Sequence, residues 1–161
     1  MKRLVCRYRS DEEGYLVAVL DCGHGLHMRH RPPFELRPWT LTPEGRASRV
    51  GTEASCVRCD RFERPAEWVE YKRSQTFDAA GLPAALGRDH GLREGVWAEL
   101  RVHSGALTLS ACDATEGPWV LAAPSTMNIA PGWRHRVTLG PGCSFDLVFY
   151  RAPDATPAGE H

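Results

Sequence analysis

The chain has 161 residues, with 20 Lys+Arg against 20 Asp+Glu, 42% hydrophobic and 25% charged residues. Those proportions belong to an ordinary globular protein and exclude a disordered tail protein; the zero net charge disfavours a strongly basic nucleic-acid binder. The longest mostly apolar run, Tyr15 to Leu20, falls far short of the ~20 residues that a bilayer requires, and Met1 to Ser10 has no apolar stretch behind its charges, so no membrane partner is expected and a cytoplasmic location is.

The zero is a sum of unlike halves. Residues 1–66 carry 12 Lys+Arg and 9 Asp+Glu, a balance of +3, and residues 67–161 carry 8 and 11, a balance of −3. Four of six cysteines and the close trio His24, His27 and His30 lie in the first part. The polar, proline-bearing segment Arg61 to Ala66 reads as the linker that closes it. The expected organisation is a small metal-binding module with its linker over 1–66, a β domain over 67–153 and a loose tail over 154–161.

In chain order, Cys6 stands on a first strand, where a buried thiol is expected. Tyr15 to Leu20 is β-branched and apolar enough for a second strand. Asp21-Cys-Gly-His-Gly25 then turns, and Leu26 to Arg31 returns until Pro32-Pro33 ends it. On the return, Leu26, Met28 and His30 share one face and His27, Arg29 and Arg31 the other. Thr42-Pro43-Glu44 opens a short helix, with Thr42 as N-cap and Gly51 as its stop.

Cys56-Val-Arg-Cys59 follows. Two thiolates three positions apart can point at one ion, and Cys22 with His24 supplies the second pair of a tetrahedral Zn2+ site. His27 is the alternative ligand, and His30 suits packing better than ligation. A four-ligand site is structural, and it would close the 31 residues between His24 and Cys56 in a module too small for a large core. The rival is a redox Cys-x-x-Cys, weakened by the lack of a βαβ context.

Beyond the linker, Asp78 to Leu86 is the last stretch with helical character. Six apolar runs then alternate with turn signals: 96–102, 106–111, 119–122, 126–129, 136–139 and 145–150. The turns include Thr115 to Pro118. Short strands spaced in this way argue for a sandwich or small barrel. His90 and His135 precede or begin two of these strands and can meet at the mouth of such a barrel to hold a second divalent metal. Glu99, on a face with Trp97, Arg101 and His103, is the third ligand only if that face lines the lumen. Cys112 and Cys143 are isolated. No Ser-His-Asp order, Gly-rich phosphate loop or catalytic carboxylate pair is present, so enzymatic activity is left open.

Two resemblances add to this reading. Asp21 to Pro33, Arg37-Pro-Trp39, Glu44-Gly-Arg46 and Cys56-Val-Arg-Cys59 resemble, over about 2–61, a small bacterial family of unknown function described as zinc-ribbon-like. That implies metal binding and no activity. Tyr71-Lys-Arg-Ser74, Leu82-Pro83, Arg88-Asp-His90, Gly95-Val-Trp97, Leu100-Arg-Val102, Gly105, Ala130 to His135 and Phe145 to Arg151 resemble, over about 70–153, the cupin-like domain associated with tellurite resistance. Pro131-Gly-Trp-Arg-His135 is similar to the second cupin motif; the first, His-x-His, is absent, and His90 stands alone. In the family an acidic residue often occupies the position of Val148.

The expected architecture is therefore mainly β: a zinc-ribbon-like module followed by a cupin-like barrel (a double-stranded β-helix, or jelly roll). The expected function is binding of a small or anionic ligand, or a metal, in the barrel during tellurite, oxyanion or related stress, with a homodimer compatible. The alternative is a non-enzymatic sensor or adaptor. There Arg29, Arg31, Arg37, Arg46, Arg49 and Arg58 would contact a protein or nucleic-acid partner, nucleic acid being the less favoured.

Overall fold

The computed structural model describes residues 1–112 and 117–153. The turn expected at 115–118 lies in part, and the tail expected at 154–161 in full, outside them. The chain divides into two compact units, Met1–Pro65 and Ala66–His161. The protein is mainly β, and among the described residues no helix is long and apolar enough to cross a membrane.

The first unit is one antiparallel sheet with two short helices. Strands β1 (Lys2–Ser10), β2 (Leu16–Leu20), β3 (Gly25–His27) and β4 (Glu53–Ser55) lie in the order β3-β2-β1-β4. Its buried aliphatic side chains are Val5, Val17, Ala18 and Leu20, and Cys22, Cys56 and Cys59 complete the interior. So few apolar groups cannot offset the conformational entropy of about 60 residues.

Several expectations need correction here. The β1–β2 register shifts between Val5 and Arg7, and Cys6 sits in that bulge. The extra residue breaks the alternation of faces, so Cys6 is exposed rather than buried. The return strand stops at His27 instead of Arg31, because 31–37 is drawn into its own turn, closed by an Arg31–Glu35 bridge. Helix α1 (Pro43–Ala47) starts where Thr42 caps it, with Thr42 Oγ1 accepting from Gly45 N at 3.1 Å. It ends at Ala47, and Gly51 closes a later turn with its N–H on Val5 O. The segment expected as linker folds back over helix α2 (Val57–Asp60): Phe62 N donates to Cys59 O, Glu63 N donates to Arg58 O, and Pro65 is buried.

The second unit holds strands β5 (Val69–Arg73), β6 (Trp97–Ser104), β7 (Ala106–Ala111), β8 (Trp119–Ala122), β9 (Ser125–Ile129), β10 (His135–Leu139) and β11 (Ser144–Arg151). They form two antiparallel sheets, β10-β7-β8 and β5-β11-β6-β9. Leu107, Leu109 and Val137 are buried on the smaller sheet, and Leu100, Val102, Ile129 and Phe145 on the larger. Gly105 turns β6 into β7 at φ +63, where a Cβ would stand 2.7 Å from Cys143 N; only glycine fits there. Asp78–Leu86 forms turns rather than a helix, organised by Asp78 Oδ1 accepting from Ala80 N and Gly81 N. Such side-chain bonds compete with helix formation.

Candidate metal centre

Strand β2 delivers Cys22 and His24 on a tight turn. Gly23, at φ +87, permits that turn, which is closed by Gly23 N on Leu20 O (2.8 Å) and Leu20 N on His24 O (2.9 Å). Asp21 ties the turn to β1: its N–H donates to Leu4 O, and its Oδ2 accepts from Leu4 N. From the other side, Cys56 N donates to Met1 O at 2.9 Å and starts α2, whose single turn swings Cys59 back over Cys56. The sheet therefore brings together two segments 31 residues apart.

All four side chains are buried, and their ligand atoms lie within 4.8 Å of one another. The Nδ1 of His24 is 3.5 Å from Cys22 Sγ, 3.3 Å from Cys56 Sγ and 3.6 Å from Cys59 Sγ. The sulfurs of Cys22 and Cys56 are 3.9 Å apart. Zinc bonds of ~2.3 Å to sulfur and ~2.0 Å to nitrogen at tetrahedral angles require S–N edges of about 3.5 Å and S–S edges of about 3.8 Å. These four edges match, so the donor set fits a Zn2+ ion, with Nδ1 as the histidine ligand atom.

The thiol chemistry points the same way. Without a cation the sulfurs share charge unequally. The hydrogen bond from Cys22 holds Cys59 down at about 4; the same bond, with burial, pushes Cys22 strongly up, and burial raises Cys56. Three packed thiols cannot all ionise unaided, whereas a divalent ion stabilises all three as thiolates. The guanidinium of Arg3, 8% exposed on β1, also lowers Cys59. A Cys₃His zinc centre carries one net negative charge, and Arg3 is the buried cation opposite it.

His27 and His30 are not in this group. His27 Nε2 bonds Asp11 Oδ2 at 2.9 Å at the surface, and His30 Nδ1 accepts from Arg37 N at 2.9 Å.

His90 and His135 do meet. Their backbones exchange both hydrogen bonds, and their ring centroids are 4.2 Å apart. His90 Nδ1 lies 3.0 Å from Arg88 O, and His135 Nδ1 lies 2.9 Å from Trp133 O. A carbonyl only accepts, so each Nδ1 carries a proton, and in a neutral ring held this way Nε2 is the nitrogen with the lone pair. Burial holds His135 down at about 4, so this imidazole is neutral near pH 7. Trp133 stacks on it at 4.8 Å, and Trp119 meets Trp133 edge-on. The Cys112 thiol reaches Asp89, which is also paired with Arg134.

No third ligand joins the two histidines: among the described residues the Cys/His group is the only cluster of three or more. Glu99 is half-buried on β6, and His103 is exposed, 3.3 Å from Asp146. Asp146 was not foreseen from sequence. It accepts two bonds from Arg101, Nε at 2.8 Å and Nη2 at 2.5 Å, and stands one alternation before Val148 on the same face of β11. Val148 itself is apolar and buried, while the nearby carboxylate is neutralised in an ion pair.

Residues 6–63 match a family described as "Protein of unknown function (DUF3565)". Residues 72–147 match a TehB-like domain. Among solved structures, the chain is similar to a structural-genomics target from E. coli strain K12 (18% identity, TM-score 0.50, covering 56% of this chain and 96% of that one). It is also similar to TehB from Haemophilus influenzae (23% identity, TM-score 0.51, covering 54% of this chain). The chain spans only 32% of that TehB. At these identities the likeness is one of fold. No curated protein matches the chain.

Proposed function

We propose that this is a two-domain metal-binding protein in which a module built on a structural, zinc-ribbon-like Cys₃His centre is followed by a cupin-like barrel that binds a small anionic or oxidised ligand, or a divalent metal, beside His90 and His135. The observation that carries the reading is the tetrahedral spacing of Cys22, His24, Cys56 and Cys59. The likeness to TehB supports a role in tellurite or related oxyanion stress. The zinc would hold the first unit together, because four protein ligands leave no position for water. The histidine pair, with two lone pairs and no third protein ligand, would leave positions open for a ligand.

Elemental analysis of the purified chain tests this. Two stoichiometric metals, one of them lost in His135→Ala, would support the reading with a barrel metal. One metal, kept in His135→Ala and lost in Cys59→Ser, would restrict it to zinc plus a metal-free ligand pocket. No bound metal would overturn it.

A second reading, a sensor or adaptor that contacts a protein partner through the first unit, is favoured by the exposed apolar side chains Phe34, Leu36 and Leu41.

A further inference from the structure

We infer that loop 29–37 of the first unit is a docking arm whose Phe34 tip packs against the apolar side chains of an acidic peptide segment of a partner protein, an inference that rests on the adaptor reading. Phe34 is 93% exposed, and Leu36 and Leu41 are 70% and 67% exposed. Scattered single apolar residues need no explanation, but the three most exposed of the unit fall between positions 34 and 41 of the chain.

The arm is not slack chain. Arg31 and Glu35 exchange backbone hydrogen bonds at 2.9 Å, and Phe34 N donates to Arg31 O at 3.0 Å. Arg37 N donates to His30 Nδ1 at 2.9 Å, and Arg37 Nη1 donates to Arg29 O at 3.5 Å, which fastens the base. A phenyl ring held out on a tied loop loses little freedom on binding, as a hot-spot anchor requires.

Charge selects the partner. Among the six arginines expected to form a basic face, Arg46 donates to Thr40 O, Arg49 lies over Trp39 and Arg58 pairs with Glu63. Arg37 faces Glu35 at 4.0 Å. Arg29 and Arg31 are exposed, enter no ion pair among the described residues and precede Phe34 in the same loop. An apolar anchor in one loop with two unpaired arginines is complementary to an acidic segment that carries apolar side chains. Single-stranded nucleic acid fits less well, since Leu36 and Leu41 offer no stacking face and a balance of +3 is small. An anionic bilayer calls for a longer basic run or a larger apolar area.

The test uses the full chain against three probes: a random 12-mer peptide library, a single-stranded dT oligonucleotide, and vesicles containing phosphatidylserine. Selection is expected to enrich peptides that combine Asp/Glu with aromatic or aliphatic residues. Phe34→Ala should weaken the enriched peptides about 30-fold or more, as loss of a hot spot does. Arg29→Glu with Arg31→Glu should weaken them about 10-fold and flatten their salt dependence. Unchanged metal content in each variant excludes misfolding. Enriched peptides indifferent to Phe34 would overturn the arm and leave the adaptor reading standing on another face. Binding to dT or vesicles that is lost in Phe34→Ala would overturn it in favour of those partners. No binding to any probe would remove the adaptor reading as well.

Discussion

The two histidine-containing sites differ in how their ligand atoms are held. In the first unit, His24 has its Nδ1 turned into the centre of three sulfurs, with all four side chains buried. In the second, His90 and His135 have their Nδ1 atoms fastened to carbonyls and offer Nε2 instead, with two residues where the first site has four. Backbone carbonyls orient the open pair before any ligand arrives, as outer-shell partners of metal-binding histidines do. In the closed site the thiols oppose one another until a cation enters. On the proposed reading, one arrangement would make a metal a condition of folding, and the other would leave room for something to come and go.

The sharpest way to break this comparison is to remove the metal. Chelation, or Cys59→Ser, should unfold the first unit, because apparent zinc binding energies of about 10–16 kcal/mol are folding energy in such modules. The β-sheet signals of the second unit should persist in amide-resolved NMR. Retention of the first unit's signals without metal would erase the distinction between the sites.

Next in size, Arg3→Met should weaken zinc about 10–100-fold in chelator competition, the usual cost of an outer-shell loss. Arg3→Lys should recover most of it. The cobalt-substituted spectrum should keep its tetrahedral form throughout, since no ligand has changed.

A smaller effect belongs to the Arg101–Asp146 pair. Asp146→Asn should cost the second unit about 2 kcal/mol in urea unfolding, as hydrogen bonds to charged groups do. The bond from Arg101 holds the Asp146 carboxyl below its ordinary value. Its stabilisation is therefore present above the unfolded carboxylate pKa and lost as pH falls through the lower folded one. The wild type should lose this increment below about pH 4, and the variant should show a flatter profile there. The smallest expected effect is that of His27→Ala, which should leave zinc content and melting temperature unchanged, because the His27–Asp11 pair is at the surface.

The Cys/His cage was legible because its signal is local: Cys-x-x-Cys and a Cys-Gly-His turn state their geometry within a few residues. The six apolar strands of the second unit were legible because β-branched runs stand between Gly and Pro turns. Strand β5 was not, since all five of its residues are exposed at the edge of its sheet and carry no burial pattern. Arg3 and Asp146 were hidden for another reason. Each acquires its role from the strand beside it: Arg3 lies on the strand whose neighbour β4 leads into Cys56, and Asp146 stands opposite Arg101. Such roles depend on register, which a single strand does not contain. Gly51 misled because a positive φ serves a turn as well as a helix end.

The 31-residue span between His24 and Cys56 makes the cage a clasp on a ring of chain. A disulfide clasping the same ring would obey the redox poise of its compartment. A zinc clasp obeys supply instead, opening when a stronger chelator competes for the ion and closing when the ion returns. The tied loop around Phe34 lies within that ring, so its shape depends on the clasp. In a zinc-poor cell the chain would keep its second unit and lose the outline of its first, and its surface chemistry would register metal status with no change in the amount of protein made.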